Sequence, residues 1–98
     1  MAALHIIASA PDVGAALQNC SRAAAPDDVI VLIGNGVYCA AHASFRRVAN
    51  RSRVTRWYAL GVDLARRGIA VERSLVSVID DAAFVDLVVN HLPIVSWS

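Results

Sequence analysis

Two cysteines, Cys20 and Cys39, are the side chains of this 98-residue chain best suited to covalent chemistry. A thiolate is the nucleophile of thiol and persulfide exchange, and exposure, a helix N-terminus and nearby positive charge all favour it. Cys20 falls on a predicted helix over residues 13–24. At ~100° per residue, Val13, Leu17, Cys20 and Ala24 form one stripe with Ala16 beside it. Buried free cysteines mostly behave as small hydrophobes, so one reading of Cys20 is a core residue. The other is a thiol that carries sulfur. Cys39 falls near the start of a second predicted helix, over 37–48, whose packed face is Val37, Ala41, Phe45 and Val48, with Tyr38 at its edge. It stands nearly opposite that face, near His42 and Arg46, and is expected to be the better-placed reactive thiol. Its alternative is packing against a subunit.

Three other groupings have a chemical and a plain reading. Gly34-Asn35-Gly36 precedes a predicted helix and could cradle a phosphate. It matches neither a Walker A loop nor G-x-G-x-x-G, because Cys39 stands where the third glycine belongs. A tight turn is the better reading. Arg46, Arg47, Arg51, Arg53 and Arg56 make the most basic segment, which could contact RNA phosphates. No aromatic residues interleave with it, so a solvated loop with Asn50 and Ser52 as breakers is expected. Asp80 and Asp81 read as helix-capping residues, and His5, His42 and His91 fall on separate elements with no metal-ligand spacing. No nucleophile–base–orienter set, metal site or organic cofactor can be assembled from the sequence.

The elements that must position these groups centre on residues 29–33, Val-Ile-Val-Leu-Ile. A run apolar on both alternations reads as a strand buried on both faces, at the centre of a parallel sheet. The turn 34–36 follows it directly, so residues 34–39 should face the crevice beyond the strand ends where open α/β sheets bind ligands. Further strands are predicted over 4–8, 57–60, 76–79 and 94–97. Helices are predicted over 61–67, stopped by Gly68 at a C-cap, and over 82–90, capped by Asp80 and Asp81. The order β-α-β-α-β-α-β-α-β implies one α/β domain over residues 1–98. Its fold class is a doubly wound, mainly parallel sheet flanked by helices, a Rossmann-like three-layer arrangement with right-handed crossovers.

Composition sets the remaining bounds. The apolar fraction is 57%, more than a domain of this size can hide, which implies apolar surface buried against other subunits. Net charge is +1, so no overall field draws the chain to nucleic acid or membrane, and all nine basic residues are arginine, which reads as coding bias. No apolar run approaches the ~18 residues of a membrane span. The first residues lack the pattern of a signal peptide, and two cysteines make no disulfide framework, so the expected location is cytoplasmic.

Several segments together resemble one family, the DsrH/TusB subunits of bacterial sulfur-relay complexes. They are Leu4-His5-Ile6-Ile7, Asn35-Gly36-Val37-Tyr38-Cys39-Ala40-Ala41, Tyr58-Ala59-Leu60-Gly61-Val62-Asp63-Leu64-Ala65-Arg66-Arg67-Gly68, Val78-Ile79-Asp80, Phe84-Val85-Asp86-Leu87 and Trp97. The resemblance implies a supporting subunit that forms a heterohexamer with homologous siblings, one of which holds the principal reactive cysteine. The complex would pass persulfide sulfur from donor to acceptor proteins, for 2-thiolation of the tRNA wobble uridine or for sulfur oxidation. The resemblance makes Cys20 an auxiliary candidate carrier, because the sulfur-oxidation branch tends to place a cysteine there. It gives Cys39 no counterpart. Asn35 replaces an acidic residue common in the family, and Asp81 stands where the family tends to have tyrosine. Direct contact with tRNA is not expected of this subunit. The rival readings are a homo-oligomeric interaction module without sulfur chemistry and a nucleotide-binding domain using the 34–36 turn.

Overall fold

The computed structural model describes residues 2–11 and 14–97. Five strands, β1 (Leu4–Ile7), β2 (Val29–Leu32), β3 (Arg56–Leu60), β4 (Ser77–Ile79) and β5 (Ile94–Trp97), form one sheet in the order β4-β3-β2-β1-β5. All four pairings are parallel. β2 is the middle strand and each of its residues is buried, as an apolar run without alternation requires. The fold is therefore the α/β three-layer class expected from the alternation of elements.

The helices divide unequally between the two faces. α1 (Ala16–Ala23), α2 (Phe45–Arg51) and α3 (Gly61–Arg67) lie on one side. Leu17 and Cys20, Phe45, and Leu64 from these helices share a core with Ile7, Ile30, Leu32, Trp57 and Ala59 of the strands. α4 (Asp81–Asn90) covers the other side, where Phe84, Leu87 and Val88 pack on Leu4, Val29 and Val31. This division follows from the strand order. Three successive right-handed crossovers step the same way across the sheet and share a face, while the β4–β5 connection runs back and must use the other.

Local chemistry sets the element ends. Gly68 ends α3 in the left-handed conformation, φ 63°, and its N–H reaches back to the Ala65 carbonyl. Asp80 is the N-cap of α4, its Oδ1 accepting from the Ala83 N–H at 2.8 Å, so the helix starts at Asp81 and not at 82. α1 starts at Ala16, three residues later than the sequence implies, after Gly14 at φ 90°. Asp12, which precedes the predicted helix and offers it a cap, and the stripe residue Val13 lie outside the described residues.

The largest departure concerns residues 34–48. One helix over 37–48 does not form. A 3₁₀ helix, Gly34–Ala41, comes first, then a break at 42–44, then α2. Eight residues is long for a 3₁₀ helix, whose hydrogen bonds are poorer than those of the α-helix. The break is held by His42, whose Nδ1 accepts from the Ser44 N–H at 3.2 Å and lies 2.8 Å from Ser44 Oγ. α2 then takes up half of the expected arginine loop. It continues through Asn50 to Arg51, and only Ser52 acts as a breaker, its Oγ accepting from the Val54 N–H at 3.1 Å.

Candidate functional site

The 3₁₀ helix decides where Cys39 goes. With 3.0 residues per turn, positions three apart eclipse. Asn35, Tyr38 and Ala41 form an exposed row, whereas Gly36 and Cys39 form a buried one. Counting at 100° per residue sent Cys39 to the outside; the true period turns it inward, to 1% exposure. Its Sγ–H points to the Ser9 carbonyl at 3.7 Å. Burial pushes the thiol pKa up to about 11. Cys39 is thus not the exposed, activated thiol that the helical count implied.

Gly36 makes this tight winding possible. A Cβ there would lie 2.0 Å from the Ile7 carbonyl oxygen, so only glycine lets the turn run under the end of β1. α3 anchors the same turn from the side. Asp63 Oδ2 accepts from the Gly34 N–H at 2.7 Å. Arg67 donates to Asn35 Oδ1 through Nε at 3.2 Å and through its terminal nitrogen at 3.0 Å, and its guanidinium lies 5.8 Å from the centre of the Tyr38 ring. A carboxylate therefore already holds the N–H that a phosphate would need. The turn is structural, and the phosphate-cradle reading is set aside.

Cys20 sits in the core, fully buried, on the stripe with Leu17 and Ala24 that periodicity implies. Burial first, and the negative charge of nearby Asp28 second, push its thiol pKa up to about 12. Cys20 lies beside Asp28, which precedes β2, whereas Cys39 follows the end of that strand. The fold places the two thiols toward opposite ends of the sheet and makes no pair of them. Both are free cysteines. At neutral pH each is a closed, protonated thiol.

One polar cluster escaped the sequence reading. His5 Nε2 lies 2.8 Å from Asp28 Oδ2, and Trp97 Nε1–H donates to His5 Nδ1 at 3.0 Å. With Nδ1 accepting, the proton of a neutral His5 belongs on Nε2, facing the carboxylate. Asp28 also accepts from the Ala3 and Ala25 N–H groups, each at 2.9 Å. Burial works against the carboxylate, but the His5 hydrogen bond and the two N–H groups outweigh it and hold its pKa below the ordinary value. An aspartate–histidine pair orients a general base where a nucleophile takes the third place. Here an indole N–H takes it and the imidazole is buried, so the cluster ties β5 to β1 and to the start of β2. Its members are 23 and 92 residues apart, and only the strand register brings them together.

Beyond the strand ends, Asn35, Tyr38, Ala41 and His42 line an open cleft with Ala10 and Pro11. It is the exposed row of the 3₁₀ helix that faces this crevice, not either cysteine. Among the described residues, no group of three or more His, Cys, Asp or Glu side chains could hold a metal ion, and no helix is long and apolar enough to cross a membrane.

A family model described as DsrH like protein matches residues 10–93. The chain belongs to the DsrH-like family. Comparison with curated proteins gives no match. The DsrH-like match spans α1, the 3₁₀ turn, α2, α3 and α4, and so contains both cysteines, while His5 and Trp97 lie outside it. Membership makes this chain a sulfur-relay-associated subunit in general terms and a component of a multi-subunit complex.

Proposed function

We propose that this DsrH-like chain is the supporting subunit of a cytoplasmic heterohexamer in which persulfide sulfur passes between proteins. The sulfur serves either tRNA wobble-uridine 2-thiolation or dissimilatory sulfur oxidation. The observation that carries the reading is the state of the thiols: in a DsrH-like subunit, both cysteines are buried and protonated. Persulfide exchange needs a thiolate that can reach the donor's terminal sulfur, and neither side chain meets that need in this conformation.

A second feature supports a scaffolding role. α4 is apolar on nearly every side, none of its residues is fully buried, and Val85 and Val89 are 56% and 73% exposed. Leu92 and Ile94, at the adjoining sheet edge, are exposed too. A helix hydrophobic all round belongs inside a larger core. The proposed cover is a homologous sibling subunit, which also accounts for the high apolar fraction.

The test is to treat the assembled complex with a persulfide donor and map added sulfur by peptide mass spectrometry. The reading predicts a gain of about 32 Da, one sulfur as in persulfidation, on a sibling and none on this chain. Label on Cys20 that leaves when acceptor protein is added would make this subunit a carrier, with α1 opening to expose the thiol.

A further inference from the structure

The arginine segment that reads in sequence as a solvated loop is instead half of a groove. α1 and α2 pack against each other, and between them runs a cavity of about 560 Å³. Arg22 from the last turn of α1, Arg47 and Arg51 from α2 and Arg53 just beyond it all line this space. Gln18, Ser44 and Ser52 add polar groups to the same walls. No carboxylate and no aromatic ring belongs to the lining among the described residues.

Among the described residues the four guanidinium groups have no protein partner; Arg66 and Arg73 have none either but stand outside the groove, so what sets the four apart is that they share one concave space. Arg46 pairs with Glu72, Arg67 with Asp63, and Arg56 donates to the Asp27 carbonyl. Arg22 and Arg51 at helix C-termini gain from the helix dipoles, which is reason enough for each alone. It is no reason for Arg47 and Arg51, which stand four apart on one face of α2 where like charges repel. Nor does it explain Arg53, outside the helix. Uncompensated positive charge gathered in a concave, partly low-dielectric site focuses potential onto an incoming anion. Guanidinium forks match phosphate oxygens in pairs, and a groove without aromatic rings offers nothing for a base to stack on.

We propose that the α1–α2 groove binds successive phosphate groups of a polyanion, through Arg22, Arg47, Arg51 and Arg53. The shared ligand chemistry is two or more phosphates in sequence, as an RNA backbone or a free polyphosphate supplies. The site is independent of the sulfur-relay reading and uses neither cysteine.

The experiment measures binding of two probes to the full chain in the complex it purifies with: fluorescein-labelled oligouridine and tripolyphosphate. Binding should weaken steeply as salt rises from about 50 to about 200 mM, as phosphate contacts require. The double variant Arg47→Ala, Arg51→Ala should lose at least about tenfold in affinity and flatten the salt dependence, each phosphate contact carrying its share of the slope. A control variant, Arg66→Ala with Arg73→Ala, removes equal charge outside the groove and should bind as the parent does. Oligouridine binding that tripolyphosphate cannot displace assigns the site to a nucleic-acid backbone; tripolyphosphate binding without oligouridine binding assigns it to a free polyphosphate. Binding of neither probe overturns the proposal. So does equal loss in the groove and control variants, or polyglutamate binding as tightly as either phosphate probe. Unchanged thermal melting confirms that these exposed substitutions leave the fold intact.

Discussion

The two faces of the sheet are built to different standards. On the face of α1, α2 and α3, Ile7, Leu17, Cys20, Ile30, Leu32, Phe45 and Trp57 are buried together, and the rings of Phe45 and Trp57 meet edge to face at 5.4 Å. On the face of α4, the strand residues Leu4, Val29 and Val31 are buried but the helix above them contributes no fully buried side chain. The first face is a finished interior. The second leaves apolar side chains of its helix exposed. The difference teaches where each part of the molecule does its work: the closed face fixes the fold and buries both thiols, while the open one is the face we propose for a sibling subunit.

The sharpest way to break the closed face is at Gly36. A methyl group there meets the Ile7 carbonyl within the backbone itself, where no flexible side chain can give way. Gly36→Ala should cost roughly 4 kcal/mol or more, in the range reserved for special backbone sites. A urea titration checks this, with loss of the folded baseline as the expected result and an unchanged midpoint as the contrary one.

A smaller effect is expected at Asp28, where the closed face is tied to β5 through His5 and Trp97. The folded-state pKa of Asp28 is lowered, so the stability it contributes is full above the ordinary carboxylate value of about 3.9 and fades as pH falls through the lowered folded value. Asp28→Asn should lower stability at neutral pH by about 1–3 kcal/mol, because a charged hydrogen-bond hub is lost. It should also flatten the decline below about pH 4. Melting curves from pH 7 down to pH 2 read both effects. An unaltered acid limb would remove Asp28 from the account.

Much of the closed face was legible in the chain. The run 29–33 reads as a central strand and its first four residues form one, Gly68 and Asp80 stand where a C-cap and an N-cap need them, and the stripe Leu17, Cys20, Ala24 offered the core as one of two readings of Cys20. The position of Cys39 was not legible, because the residue types of this stretch do not announce a period of 3.0 in place of 3.6. What selects 3.0 is the fit of Gly36 beneath Ile7, a contact across the sheet that no local pattern records. The same holds for His5, Asp28 and Trp97, which the register joins, and for the arginine groove, which exists only once α1 and α2 pack. The open face was legible only as a surplus of apolar residues. Nothing in their spacing told which helix would carry it, since α4 reads as well for a buried helix as for an assembly face.

The central claim is that α4 is built for a partner and not for the stability of this chain. The direct measurement pairs thermal melting of the chain carrying Val85→Glu and Val89→Glu with co-purification of its partner subunits. Both side chains are exposed, so the account predicts stability within about 0.5 kcal/mol of the parent, as for ordinary surface substitutions, together with loss of the complex. A complex that survives both glutamates, or a chain that melts well below the parent, would contradict it.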